Sequence, residues 1–358
     1  MTNIELNIKK ILNKFSSEEN LSFKEAKVIF KNIVEGRIQD SYASSILKEI
    51  SLKGETVDEI LAMVQIIKES SLTIHPKFKN NLFDICGTGG SKIKTFNIST
   101  ASAIVAASAG CNIAKHGNRS ASGFCGSADF LEYIGLNLGN SPHIVSRSIE
   151  ELGIGFLFAP LFHPVLKNVG KLRKEIGMKT IFNIAAPLCN PCDNLSGQII
   201  GVYDAALLDK FSKVTKKLNK KYILMNSIDG IDEISNTCLS KIIYVNKGEI
   251  HRFNLNPQEV GIPLTSLNNI SIKTKKDSID LTLKSIYGLA RKEIEDILAM
   301  NSALALVLSE IAKDIKEGID ISRSVIREGK ARKKLKDLIT FCGNKDRLLE
   351  IEKDLDLS

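Results

Sequence analysis

The chain has 358 residues, 43% hydrophobic and 25% charged, with no tryptophan and a formal net charge of +8. That length is too great for one small core and suits a large domain with a smaller one. Its longest apolar runs, such as Ala303–Leu308, fall far short of the ~20 residues that span a membrane, and its basic balance fits either a nucleic-acid binder or an enzyme for polyanionic small molecules.

The opening segment, MTNIELNIKKILNKFSSEEN, interleaves charge with apolar residues, so no signal peptide is predicted. Residues 1–75 read as a helical domain. Phe23, Ala26, Ile29, Phe30 and Ile33 form a helical stripe between Leu21 and Gly36, opened by a capping box of Ser22 and Glu25. Tyr42, Ala43, Ile46, Leu47 and Ile50 repeat the pattern. Thr56 with Glu59 caps another helix carrying Ile60, Leu61, Val64 and Ile67. Such short helices bury little apolar surface alone, which predicts docking on the rest of the chain or on a second subunit.

From residue 76 onward, short apolar runs alternate with helical patterns. LFDIC, CNIAK, IGFLFAP, QIIGVY and YILMNS read as strands. Helices are predicted over 98–109, 128–134, 142–152, 164–176 and 205–218. This alternation predicts an α/β fold with a mostly parallel central sheet flanked by helices, over residues 76–358. IIYVNKGEIHRF, residues 242–253, reads as a hairpin turning at Asn246-Lys247-Gly248, and helices over 294–315 and 330–341 close the chain. The seven cysteines are odd in number and scattered, which predicts reduced thiols in the cytoplasm.

DICGTGGSKIKTFNIST, residues 84–100, follows the first strand with Gly87, Gly89 and Gly90 close together. Its spacing is neither GxGxxG nor a Walker A motif, so a plain turn and an anion cradle both remain open. Backbone N–H groups freed by glycines, and those at the start of the next helix, favour phosphate. KHGNRSASGFCGSAD, residues 115–129, follows the second strand and crowds cationic and hydroxyl donors into one loop. Asp232-Glu233 lies after the YILMNS strand; such a doublet is either solvated charge or a magnesium site completed by substrate phosphate.

GTGG, FNIST, KHGNRSxS and GSAD, in this order and at these distances, resemble anthranilate phosphoribosyltransferase. The similarity continues through FLFAPLFHPVLKNVGKLRKEIGMKTIFNIAAPLCNP, GIDEIS, NSALAL and REGKARKKL, nearly the whole chain. It separates the sequence from the related pyrimidine nucleoside phosphorylases. The resemblance implies attack of the anthranilate amine on C1 of 5-phosphoribosyl 1-diphosphate, with loss of diphosphate. It implies that Gly87, Gly90, Ser91, Thr95, Asn97, Ile98, Ser99 and Thr100 hold the diphosphate and ribose. Lys115, His116, Gly117, Asn118, Arg119, Ser120, Ala121, Ser122, Gly123 and Ser127 complete that binding. It places anthranilate against Gly87, His116, Asn118, Arg173 and Pro187, and Mg2+ on Ser99, Asp232 and Glu233. It also implies a homodimer, with residues 1–75 and helices near 163–177 serving dimerisation and site closure, and no nucleic-acid or membrane partner. Alone, Arg173 reads as a surface helix arginine beside Lys171, Lys174 and Glu175.

The alternatives are a same-fold paralogue that binds nucleic acid and a nucleoside phosphorylase. The first lacks the interleaved aromatics of a single-strand binder in a chain with 6% aromatic residues. Three departures from the family pattern stand out. Ser91 occupies the place of the acid in GTGGD, Ala185-Ala186 precedes Pro187 where Leu-Gly is usual, and Asn226–Gly230 reads NSIDG rather than HGxDG. Cys189 and Cys192 form a CxxC without a second pair, so neither a zinc site nor a redox motif is expected.

Overall fold

The computed structural model describes residues 3–78, 80–120 and 123–357. The chain forms two compact units, Met1–Thr73 with Pro160–Pro191, and Ile74–Ala159 with Cys192–Ser358.

In the helical unit the caps follow the sequence signals. Ser22 accepts from Glu25 N–H at 3.3 Å while the Glu25 carboxylate accepts from Ser22 N–H at 3.0 Å, opening the helix Phe23–Val34. Thr56 and Glu59 repeat this arrangement at the start of Val57–Glu69. Glu59 is fully buried and also accepts from Leu21 N–H at 3.1 Å and Lys53 Nζ at 2.8 Å, so one cap ties three segments together. The stripes Ala26, Ile29, Phe30, Ile33 and Ile60, Val64, Ile67 are buried as these two helices pack. In Asp40–Lys53 the stripe is Ala43, Ile46, Leu47 and Ile50, whereas Tyr42 is exposed. The single helix expected over 164–176 is a 3-10 turn, Pro164–Val169, followed by an α-helix, Gly170–Ile176. The change falls at Val169, whose φ of −102° and ψ of 0° leave the α-helical range.

His163, in this unit, is buried with Nδ1 2.8 Å from Ser71 Oγ, and burial pushes its pKa down to about 4. The folded state therefore prefers the neutral ring. Stability is retained above the unfolded-state pKa and lost as pH falls from there through the folded value. From about pH 7 to about pH 5 this residue is expected to remove about 2 kcal/mol. Urea unfolding at both pH values should show a shallower acid loss in His163→Gln; an identical loss in both proteins would refute the assignment.

The second unit is built on a sheet of seven strands among the described residues: β1 Leu82–Gly87, β2 Asn112–Gly117, β3 Ile154–Phe158, β4 Gly197–Gly201, β5 Lys221–Ser227, β6 Ser240–Asn246 and β7 Glu249–Leu255. Their order is β3-β2-β1-β4-β5-β6-β7. The first five run parallel, and β6 and β7 join antiparallel. The β6–β7 turn is Lys247-Gly248, both at positive φ (45° and 81°), as a two-residue hairpin of native twist requires. Ile98–Ser108 is apolar or small almost all round and lies buried against β1, β2 and the helix Lys292–Leu308.

The helix expected over 294–315 is two. Lys292–Leu308 ends, the chain turns through Glu310 at φ 64°, and Asp314 accepts from Glu317 N–H at 2.9 Å to cap Ile315–Arg327. The local cap outcompetes continuation of the apolar pattern. Lys275–Ile286 and Lys345–Asp354 are further helices that the sequence reading did not single out.

Candidate active site

From β1 the sheet grows one way to β2 and β3 and the other way to β4 and β5. The loops leaving β1 and β4 therefore diverge, which opens a crevice at the carboxyl ends of the strands. The glycine loop leaves β1 there. Gly89 and Gly90 take φ of 65° and 84°, a conformation that favours glycine. Thr88 N–H donates to the Gly201 carbonyl at 2.8 Å and Thr88 Oγ1 accepts from Tyr203 N–H at 3.0 Å, stapling the loop to the end of β4.

The acidic loop after β5 folds onto the same place. A Cβ on Gly87 would lie 2.7 Å from Asp232 Oδ2, and one on Gly201 would lie 1.9 Å from the Asp232 carbonyl oxygen. Ser91 Oγ donates to Asp232 Oδ1 and accepts from Asp232 N–H. The loop is held from beneath by Ser227 Oγ, which donates to the Glu233 carbonyl at 2.7 Å. Asn301, the first residue of NSALAL, donates to the Ile234 carbonyl and accepts from its N–H, at 2.8 and 3.0 Å. Burial, and then the adjoining Asp232 charge, push the Glu233 carboxyl well above the usual carboxylate range, with Lys115 opposing. Two carboxylates crowded this way suit a divalent cation that also takes phosphate oxygens. Among the described residues no group of three or more His, Cys, Asp and Glu side chains gathers as a protein-only metal site.

Lys115 is buried and donates to the Ile85 carbonyl at 2.6 Å. Burial pulls its pKa down, and Asp84 is the largest influence holding it up. Asp84 is fully buried in β1, accepting from His116 N–H at 3.1 Å and from Gln198 Nε2 at 3.0 Å. It thereby links β2, β1 and β4.

The loop after β2 is tied down by Asp129, which accepts from Ser120 N–H and Gly126 N–H, both at 2.9 Å. Ser120 Oγ accepts from Gly123 N–H at 2.6 Å, and Ser127 Oγ donates to the Asn118 carbonyl at 3.3 Å. A Cβ on Gly117 would lie 2.2 Å from Ser127 Oγ. Arg119 forks onto Glu132 at 2.6 and 2.8 Å and reaches Asp129 at 3.3 Å, so its guanidinium is committed to the following helix, Ser127–Tyr133. Ala121 and Ser122 lie outside the described residues.

Asn97 precedes Ile98–Ser108 and donates through Nδ2 to Ser278 Oγ at 3.2 Å. Ile98 is buried, Ser99 and Thr95 are half-buried, and Thr100 Oγ1 is buried with no hydrogen-bond partner among the described residues. Gly87, Ser91 and Asp232 are thus brought together, with Gly90 next to Ser91 in the chain and Lys115 bonded to β1 at Ile85. Arg173 and Pro187 belong to the helical unit. There Pro187 is buried, and Arg173 lies with its guanidinium carbon 5.2 Å from the centre of the Phe182 ring. Burial lowers the Arg173 pKa, and the side chain makes no ion pair among the described residues.

Asp84, Thr88, Asp129, Gly201 and Asn301 escaped the sequence reading. Two had a signal: Asp84 interrupts an apolar strand, and Gly201 sits inside one, where glycine marks close backbone approach. None of the seven cysteines is in a disulfide, and burial pushes the Cys189 and Cys192 thiols up to about 12, leaving them unreactive. No helix among the described residues is long and apolar enough to cross a membrane.

A helical unit joined to an α/β unit, with glycine-rich and acidic loops meeting at a sheet switch point, is matched by models of a glycosyl transferase class. The family described as glycosyl transferase, helical bundle domain, matches residues 8–71, and the glycosyl transferase a/b domain matches residues 79–332. Anthranilate phosphoribosyltransferase of Vesicomyosocius okutanii is 38% identical over 335 residues, covering 93% of this chain and 98% of that protein. The crystal structure of anthranilate phosphoribosyltransferase from Thermus thermophilus superposes with a TM-score of 0.86 at 31% identity, covering 93% and 99% of the two chains. The Saccharomyces cerevisiae enzyme, solved with 5-phosphoribosyl 1-diphosphate and magnesium, shares the fold at a TM-score of 0.86 and 24% identity, over 95% and 97%. The chain belongs to the anthranilate phosphoribosyltransferase family.

Proposed function

We propose that this chain transfers the 5-phosphoribosyl group of 5-phosphoribosyl 1-diphosphate to the amine of anthranilate, a step of tryptophan biosynthesis. The observation that carries the reading is the meeting of Gly87, Ser91 and Asp232-Glu233 at the β1/β4 switch point, in a chain of this family. The bond from C1 to the diphosphate oxygen breaks with its electron pair leaving on diphosphate. A C1–N bond forms, and the amine loses a proton to water.

The glycine loop, from Gly87 through Gly90 and Ser91, offers backbone N–H groups to the diphosphate, and Thr95, Asn97, Ile98, Ser99 and Thr100 extend that surface into the next helix. The loop from Lys115 through Gly123, with Ser127, completes it. Asp232, Glu233 and Ser99 would hold Mg2+, which when bound would offset charge on the leaving diphosphate. Gly87, His116, Asn118, Arg173 and Pro187 receive anthranilate. No residue is assigned as general base: the weakly basic amine attacks a carbon of cationic character, so positioning and charge stabilisation supply the rate. The same reading places the protein in the cytoplasm as a homodimer, with its helical unit serving dimerisation and closure.

Anthranilate fluorescence should decay only when 5-phosphoribosyl 1-diphosphate and Mg2+ are both added. Absence of phosphoribosyl anthranilate, with single-stranded DNA bound at moderate salt, would overturn the assignment. Arg173→Ala is expected to raise the anthranilate KM about tenfold, the worth of a charged hydrogen bond. The KM for the diphosphate substrate should stay put, and equal rises in both would remove Arg173 from the anthranilate site.

A further inference from the structure

We propose that Ser91 is a positioning residue that fixes Asp232 in its metal-binding orientation through a hydroxyl bridge that requires no cation. The inference rests on the reading of Asp232 and Glu233 as metal ligands. One hydroxyl does two things. Ser91 Oγ accepts from the Asp232 N–H at 3.0 Å and donates to Asp232 Oδ1. Backbone and carboxylate of the same residue are thus closed through a single atom, which fixes the side-chain torsion. The other oxygen, Oδ2, is left over Gly87, where a Cβ would approach to 2.7 Å. Ser91 is itself held, since Lys94 Nζ donates to its carbonyl at 2.7 Å, just after two glycines locked at positive φ.

An aspartate at this position, common in the family, is ionised and has no proton to donate. It would add a third carboxylate beside Asp232 and Glu233, and only a bound cation would reconcile the three. Serine therefore replaces a contact that depends on a cation with one already formed in the protein alone.

Electron paramagnetic resonance of the full chain titrated with Mn2+ and inorganic diphosphate tests this without turnover. Loss of the bridge in Ser91→Ala should raise the apparent Mn2+ dissociation constant about ten- to a hundredfold, the worth of one hydrogen bond to a charged group. The KM for 5-phosphoribosyl 1-diphosphate should rise with it and that for anthranilate should not. Ser91→Thr, which keeps the hydroxyl, should restore both. Ser91→Asp should melt at a lower temperature in chelator and recover on adding Mn2+. Unchanged Mn2+ affinity in Ser91→Ala, or failure of Ser91→Thr to restore it, overturns the inference while leaving the proposed reaction standing. A wild-type protein that binds no Mn2+ with diphosphate removes the metal reading and this inference together.

Discussion

Gly201→Ala is expected to reduce kcat/KM for 5-phosphoribosyl 1-diphosphate by about 100-fold or more, the cost of misplacing a site by about 1 Å. The added methyl would sit 1.9 Å from the Asp232 carbonyl oxygen and 2.8 Å from its carbonyl carbon. Both are backbone atoms, so no rotamer change relieves the overlap. Either β4 retreats, straining its ladder with β1 through the Gly87–Gly201 pair, or the acidic loop lifts. The loop is the softer partner, and lifting it carries Asp232 and Glu233 away together. Overpacking of this kind costs about 1–3 kcal/mol, so the protein should still fold. Gly87→Ala makes the informative contrast. Its nearest neighbour is a side-chain oxygen, Asp232 Oδ2, at 2.7 Å, and a rotated carboxylate can clear it once the Ser91 bridge gives way. Its loss should be smaller and should appear mainly in metal affinity. Anthranilate-fluorescence kinetics with thermal unfolding separate the two variants. A Gly201→Ala enzyme within about threefold of wild type would show that Asp232 does not need its present position.

What the sequence made legible follows the range of the interactions. Ser22 with Glu25 and Thr56 with Glu59 are local, within four residues, and both boxes are formed. Lys247-Gly248 specifies its own hairpin for the same reason, through backbone torsion. The strand–helix alternation pointed to the parallel sheet because burial on both faces makes its strands continuous apolar runs. The break within 294–315 is also set locally, by the cap at Asp314, but an apolar periodicity that runs on across it hides the stop. Among the site candidates, the glycine loop and the acidic doublet were visible as residue types. Their meeting through Ser91 was not, because positions 91 and 232 are joined only by the fold. Arg119 shows the reverse case. Donor density around KHGNR suggested a free cation, and Glu132, on the following helix, takes it.

Asp84→Asn is expected to destabilise the α/β unit by about 1–3 kcal/mol through a buried donor left unsatisfied, and further by removing the charge that opposes desolvation of Lys115. Asp84 is fully buried, and an amide of the same shape can accept from only one of His116 N–H and Gln198 Nε2 while its own NH2 faces the other donor. The larger loss concerns Lys115, whose ammonium is buried and relies first on the Asp84 charge against desolvation. Without that charge the folded-state pKa of Lys115 falls further below its unfolded value. The unfolded chain then binds the extra proton through the window between the two, so stability of the variant should rise with pH there and the deficit should narrow toward alkaline conditions. Wild type should show less of this rise. Lys115→Met added to Asp84→Asn removes the stranded cation and should recover part of the lost stability, although Lys115→Met alone removes the cation that the Asp84 charge favours and should be destabilised too. Urea unfolding of the four proteins at neutral and alkaline pH measures the coupling. Additive losses, with no recovery in the double variant, would show that Asp84 and Lys115 act separately and that the strand-end lysine is held by its bond to the Ile85 carbonyl instead.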